Sequence, residues 1–101
     1  MTKKRAKALS LEVWGYLAEH PELDSKWQLP YHLHKKISRY IFECPLCELF
    51  FNVEKIQCYG CPLKHCRKGS PYYKWSSANE KSFRRRFAQQ IVNIIQAWEV
   101  G

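Results

Sequence analysis

Cys44-Pro45-Leu46-Cys47, followed after residues 48–57 by Cys58-Tyr59-Gly60-Cys61-Pro62-Leu63-Lys64-His65-Cys66, holds all five cysteines of the 101-residue chain. A C-x2-C turn curls the backbone so that two thiolates point to one side, and two such turns supply the four ligands of a tetrahedral zinc ion. The first choice of ligands is Cys44, Cys47, Cys58 and Cys61. Pro45 limits the first turn, and Gly60 lets the second tighten. Pro62 suits the first position of a helical turn that returns Cys66 toward Cys61. Cys66 is therefore the alternative to Cys58, and His65 a weaker substitute. Residues 48–57 are a short spacer for a paired zinc site, so the intervening chain must fold tightly. Its strand formers on either side of Asn52 suit a short two-stranded hairpin, with a plain loop the competing reading.

Other cysteine chemistries fit less well. An odd count of five is awkward for a disulfide framework, and paired cysteines in a reducing compartment more often hold metal. An iron–sulfur cluster also takes four thiolates, and Cys58-x2-Cys61-x4-Cys66 could contribute to one. Cys44-Pro45-Leu46-Cys47 matches a thiol redox motif only superficially, because no βαβ pattern surrounds it. The zinc deaminase signature fails: His32-Leu33-His34 lacks its glutamate, and the proline lies inside the cysteine pair.

The body around this knot reads as one mainly α domain, near the size at which a core benefits from an additional staple. Residues 1–8 form a basic N-terminal arm, frayed or continuing into a helix. From Leu9 onward, Leu9, Val13, Tyr16 and Leu17 share one face, widened by Leu11, Trp14 and Ala18, and Pro21 ends the helix at His20. In the connection that follows, Leu23 and Trp27 are expected to pack back on the core. Pro30 suits the start of a second helix whose Leu33, Ile37, Tyr40 and Ile41 point inward, and this helix delivers the chain into Cys44. Residues 67–76 are turn-rich, then aromatic. Tyr72, Tyr73 and Trp75 between lysines read first as cover for a small core and second as a base-stacking surface. Ser77-Ala78-Asn79-Glu80 has the form of a capping box. It opens a long helix, about 78–99, with Phe83, Phe87, Ile91, Ile94, Ile95 and Trp98 on its apolar stripe. The expected architecture is thus a three-helix domain over 9–101, clasped by a zinc knuckle with a short hairpin at 44–66.

The charge is lopsided. The chain carries 17 Lys+Arg against 9 Asp+Glu, a net of +8. Residues 1–54 hold eight basic and seven acidic groups; residues 55–101 hold nine and two. Such asymmetry points to a polyanion or to an acidic protein surface. The candidate contacts are Lys64, Arg67, Lys68, Lys74, Arg84, Arg85 and Arg86. No segment reads as a signal peptide or a membrane span, so the expected setting is the cytoplasm, with no membrane partner. Catalysis is not expected. A closed all-cysteine zinc site leaves no position for water, the carboxylates are dispersed, and no H-E-x-x-H, phosphate loop or nucleophile–base set occurs. No small-molecule substrate is implied.

Beyond these local readings, Trp14, Leu17-Ala18, Pro21, Cys44-Pro-Leu-Cys47-Glu48, Cys58-x2-Cys61-Pro-Leu63, Ser70-Pro71-Tyr72-Tyr73-Lys74-Trp75 and Trp98 resemble small cysteine-cluster proteins encoded by bacteriophages and prophages. The resemblance spans most of the chain and implies a viral context within a bacterial host cell, without an activity. Cys58-x-Gly60-Cys61-x-Leu63 and Cys66, followed by Tyr73-Lys74-Trp75 and a helix, is similar to the phage antirestriction protein Ral, although the spacing to Cys66 differs and no functional residue is carried over. Two functions follow as expectations. One is a non-enzymatic zinc-stabilised module associating with nucleic acid or the machinery that handles it. The alternative is a phage-encoded inhibitor or adaptor, of antirestriction or anti-defence type, that docks on an acidic surface of a host protein.

Overall fold

Helix α1 spans Lys3–Glu19 and is started by Thr2, whose Oγ1 accepts from the Arg5 N–H at 3.1 Å. The basic arm is therefore already helical, apart from its first residues. The helix closes at His20, whose N–H reaches the Tyr16 carbonyl, immediately before Pro21 as expected. The computed structural model describes residues 2–38, 46, 51–52, 57–58, 61–63 and 69–99. Four α-helices are bounded among them, and the protein is mainly helical.

A 3-10 turn at Lys26–Gln28, capped by Ser25, leads to α2 at Tyr31–Ile37. Pro30 caps α2 rather than opening it: its carbonyl accepts from the Leu33 and His34 N–H groups, both at 2.9 Å. Leu33 and Ile37 are buried as expected. Residues 39–45, which would carry the chain on to Cys44, lie outside the described residues.

Strand β1, Phe51–Asn52, runs antiparallel to β2, Gln57–Cys58, with Phe51 opposite Cys58 and Asn52 opposite Gln57. The chain between the cysteine pairs thus doubles back as a short ladder.

Helix α3, Pro71–Ser77, replaces the expected turn-rich connection. Gly69 adopts φ 93°, a left-handed conformation that costs glycine little, and Ser70 then caps the helix by accepting from the Tyr73 N–H at 3.2 Å. Pro71 fills the first turn, where a missing N–H is no loss. Ser77 is consequently the last residue of α3 and not the cap of the next helix. The chain is extended at Ala78 and at Glu80, and α4 runs Lys81–Ala97 with Glu80 as its cap, lacking a side-chain capping bond. The capping box is absent because its serine is already spent inside a helix.

α4 packs most extensively on α1 and next on α3, while α2 rests on α1. The buried residues of α4 are Ala88, Ile91, Val92 and Ile95, a 3.6-period face rotated away from the bulkier side chains. Phe83 is 44% exposed, and Phe87, Ile94 and Trp98 are half-buried along the flank. One hydrophobic cluster joins these residues to Val13, Trp14 and Leu17 of α1, Leu33 and Ile37 of α2, Trp75 of α3, and Leu46, Cys61 and Leu63. No helix among the described residues is long and apolar enough to cross a membrane.

Candidate functional site

Two regions hold the residues singled out by sequence. The first is the cysteine segment. Leu46, inside the first C-x2-C pair, and Leu63, just after the second, are both buried in the main core together with Cys61. In the antiparallel ladder, the start of β1 and the end of β2 lie at the same end. Cys58, the first cysteine of the second pair, is the last residue of β2 and lies opposite Phe51, the first residue of β1. Leu46 and Leu63 hold the segments bearing the two pairs to one core. The donor set, five thiols within residues 44–66, is the soft type that zinc takes. The side chains of Cys44, Cys47, Cys58, His65 and Cys66 lie outside the described residues, and among those described no cluster of metal-binding side chains occurs.

The second region is the basic half. Lys64, Arg67 and Lys68 lie outside the described residues. The other four candidates divide. Arg84 turns inward: its side chain is only 11% exposed, and Nη1 lies 3.8 Å from Asp24 Oδ2. Its Nε is buried with no hydrogen-bond partner among the described residues. Arg85 and Arg86 are exposed and make no ion pair among the described residues. Consecutive helical residues are separated by about 100°, so a run of three arginines cannot share a face. Lys74 on α3 is exposed, with Nζ 5.9 Å from the centre of the Phe87 ring on α4. Phe83 stacks along Phe87 at 6.5 Å. The outcome is an apolar strip, Phe83 and Phe87, bordered by Lys74.

The aromatic residues of α3 do not form a base-stacking surface. Trp75 is 3% exposed and meets the Trp14 ring edge-on, centroids 5.0 Å apart at 86°. Tyr72 meets Trp14 in the same manner at 5.8 Å. Lys26 is buried beside them, with Nζ 4.8 Å from the Tyr72 ring centre and 5.5 Å from that of Trp14. A buried ammonium needs compensation for lost hydration, and the negative faces of two rings contribute to it. Of the three aromatics in that segment, only Tyr73 is substantially exposed.

Sequence reasoning missed Trp27. It is 72% exposed rather than packed on the core, and Tyr31 is 79% exposed. The available signal was positional. Leu33 and Ile37 mark the inner face of α2, and Tyr31 falls well away from it. The acidic groups nearby are engaged: Glu12 with Lys36 at 2.9 Å, Asp24 with Arg84, and Glu22 with His20 at 3.1 Å. The Glu22 carboxyl is held below its ordinary range first by its own backbone N–H, which outweighs the opposing effect of desolvation, and then by His20 and the charge of Lys81.

No protein-family model, curated protein or solved structure gives a significant match to this chain. Any function must therefore be argued from these surfaces and from the cysteine segment.

Proposed function

We propose that the chain is a non-enzymatic, zinc-stabilised binding module that associates with nucleic acid through the outer side of α4. Arg85 and Arg86 carry the reading: two exposed guanidinium groups on a rigid helix, without an ion-pair partner among the described residues. Lys81, one turn before Arg85, and Lys74, beside Phe87, extend the positive surface. Only Glu80 and Glu99 supply negative charge after residue 54. Zinc held by four of Cys44, Cys47, Cys58, Cys61 and Cys66 would tie the hairpin segment to the core, and its binding energy would be folding energy. The site would be structural, with thiolates filling every position.

The test is fluorescence anisotropy of a labelled generic duplex over a salt series. Phosphate contact gives an affinity that falls linearly in log salt, and Arg85→Ala or Arg86→Ala should each lower the slope by about one. An absence of binding at low salt would retire direct nucleic-acid association.

The exposed Phe83 beside Phe87, bordered by Lys74, favours a second reading. Apolar side chains rimmed by cations suit an acidic protein surface with an apolar centre. Under that reading the chain is a phage-encoded inhibitor or adaptor of antirestriction or anti-defence type, acting in the cytoplasm of a bacterial host. Its signature is Phe83→Ala abolishing capture of a purified host protein while binding to nucleic acid is absent.

A further inference from the structure

We infer that Trp27 and Tyr31 form a stacking platform for the bases of a single-stranded nucleic acid, an inference that rests on the nucleic-acid reading above and narrows its ligand class. These are the two most exposed large hydrophobic side chains among the described residues. Each ring stands on a fixed backbone. The Trp27 N–H donates to Ser25 Oγ at 3.1 Å, the Gln28 N–H to the Ser25 carbonyl at 3.1 Å, and the Asp24 N–H to Gln28 Oε1 at 2.8 Å. Tyr31 is the first residue of α2, directly after the Pro30 cap. Neither ring sits on a loose tail, so the cost of its use as a contact is limited to side-chain ordering.

Polar side chains accompany both rings. The Trp27 ring lies against His34, centroids 4.8 Å apart, and Lys35 Nζ is 5.6 Å from the Tyr31 centroid. His34 and Lys35 follow Tyr31 by one helical turn, which places them beside it. The sequence has no Asp or Glu between Asp24 and Glu43; within that interval Lys26 is buried and Lys36 is held by Glu12, while Lys35 stands over Tyr31. Asp24 is itself engaged by Arg84, in the first turns of the helix that exposes Arg85 and Arg86. The connection that carries Trp27 thus meets the basic helix at Asp24.

Charge complementarity selects a polyanion, and exposed ring faces select one with accessible bases. In a duplex the bases are already stacked on one another; in a single strand each offers a π-face to an aromatic side chain, in a way that tolerates any sequence. Lys35 then stands where a backbone phosphate next to a stacked base could be met.

The experiment titrates the full zinc-loaded chain with a short oligothymidine and, separately, with a mixed-sequence duplex of equal length at one low salt concentration. Intrinsic fluorescence and anisotropy of the labelled strands are both read. Trp14 and Trp75 are buried and Trp98 is half-buried, so quenching by the single strand reports chiefly on Trp27. Trp27→Ala and Tyr31→Ala should each weaken single-strand binding by about fivefold or more, and leave duplex binding within about twofold. Trp27→Phe should retain much of the affinity. Arg85→Ala should weaken both ligands, because it removes a phosphate contact. Single-strand affinities unchanged in both aromatic variants would overturn the platform and leave the basic helix intact. Failure of the unaltered chain to bind either ligand would overturn both readings. Circular dichroism of the variants should match the unaltered chain, since both side chains are exposed.

Discussion

Lys7 reaches across the fold to Trp98, its Nζ donating to the Trp98 carbonyl oxygen at 2.7 Å and to that of Gln96 at 3.0 Å. An ammonium from the first helix therefore caps the unsatisfied carbonyls at the end of the last, where the helix dipole is negative. One member of the N-terminal basic cluster is thus structural rather than a ligand for an anion. Lys7→Ala should cost about 1 kcal/mol and lower the melting temperature of the domain by several degrees. Lys3→Ala and Lys4→Ala, whose side chains are exposed, should leave it unchanged within about 0.5 kcal/mol by differential scanning calorimetry.

The three consecutive arginines should separate by assay. Arg84 lies against Asp24 and is mostly buried, so Arg84→Ala loses packing of its stem together with a weak ion pair. It should destabilise by about 1 kcal/mol in urea unfolding and change the salt slope of binding little. Arg85→Ala should do the reverse. A coupling energy above about 1 kcal/mol between Arg84 and Asp24 would be out of line with a half-exposed pair and would call for a different account of Arg84.

Trp75 and Tyr73 are two residues apart and opposite in consequence. Trp75 fills the core against Trp14, so Trp75→Ala should cost about 3–5 kcal/mol, a large share of the stability of a domain this small. Tyr73→Ala should cost under about 0.5 kcal/mol, because its side chain is substantially exposed. Urea midpoints at constant slope would measure both.

On α4, the rotated core face has its own test. Ile91→Ala and Ile95→Ala remove fully buried side chains and should each cost about 2–5 kcal/mol. Phe83→Ala, despite its larger side chain, should cost less than either. A cost for Phe83 matching that of Ile91 would restore the stripe read from sequence.

What the sequence made legible follows from strong periodicity. Leu9, Val13 and Leu17 dictate the buried face of α1, Pro21 its end, and Leu33 with Ile37 the inner face of α2. The rotation of α4 was hidden because large aromatic residues dominate a sequence stripe, while the smaller Ala88 and Val92 complete the face buried in the core. α3 was hidden because Gly69-Ser70-Pro71 serves equally as a turn and as a helix start, and burial of Trp75 against Trp14 decides between them. Trp27 was assigned to the core on hydrophobicity alone, whereas the Ser25 cap and the 3-10 turn set where its ring stands. For the proposed metal site, the cysteines supplied the ligand types, and the ladder shows only that the chain turns back between the two pairs.

The proposed surfaces depend on a core that includes Leu46, Cys61 and Leu63 of the cysteine segment. The most direct measurement is elemental analysis of the purified full chain, paired with melting curves before and after treatment with a strong chelator. One zinc per chain is expected, with loss of that zinc in Cys44→Ser and Cys61→Ser and collapse of the cooperative transition on chelation, since structural zinc contributes on the order of 10 kcal/mol to folding. A chain that carries no zinc, or carries iron instead, and melts at the same temperature with and without the chelator would contradict that expectation.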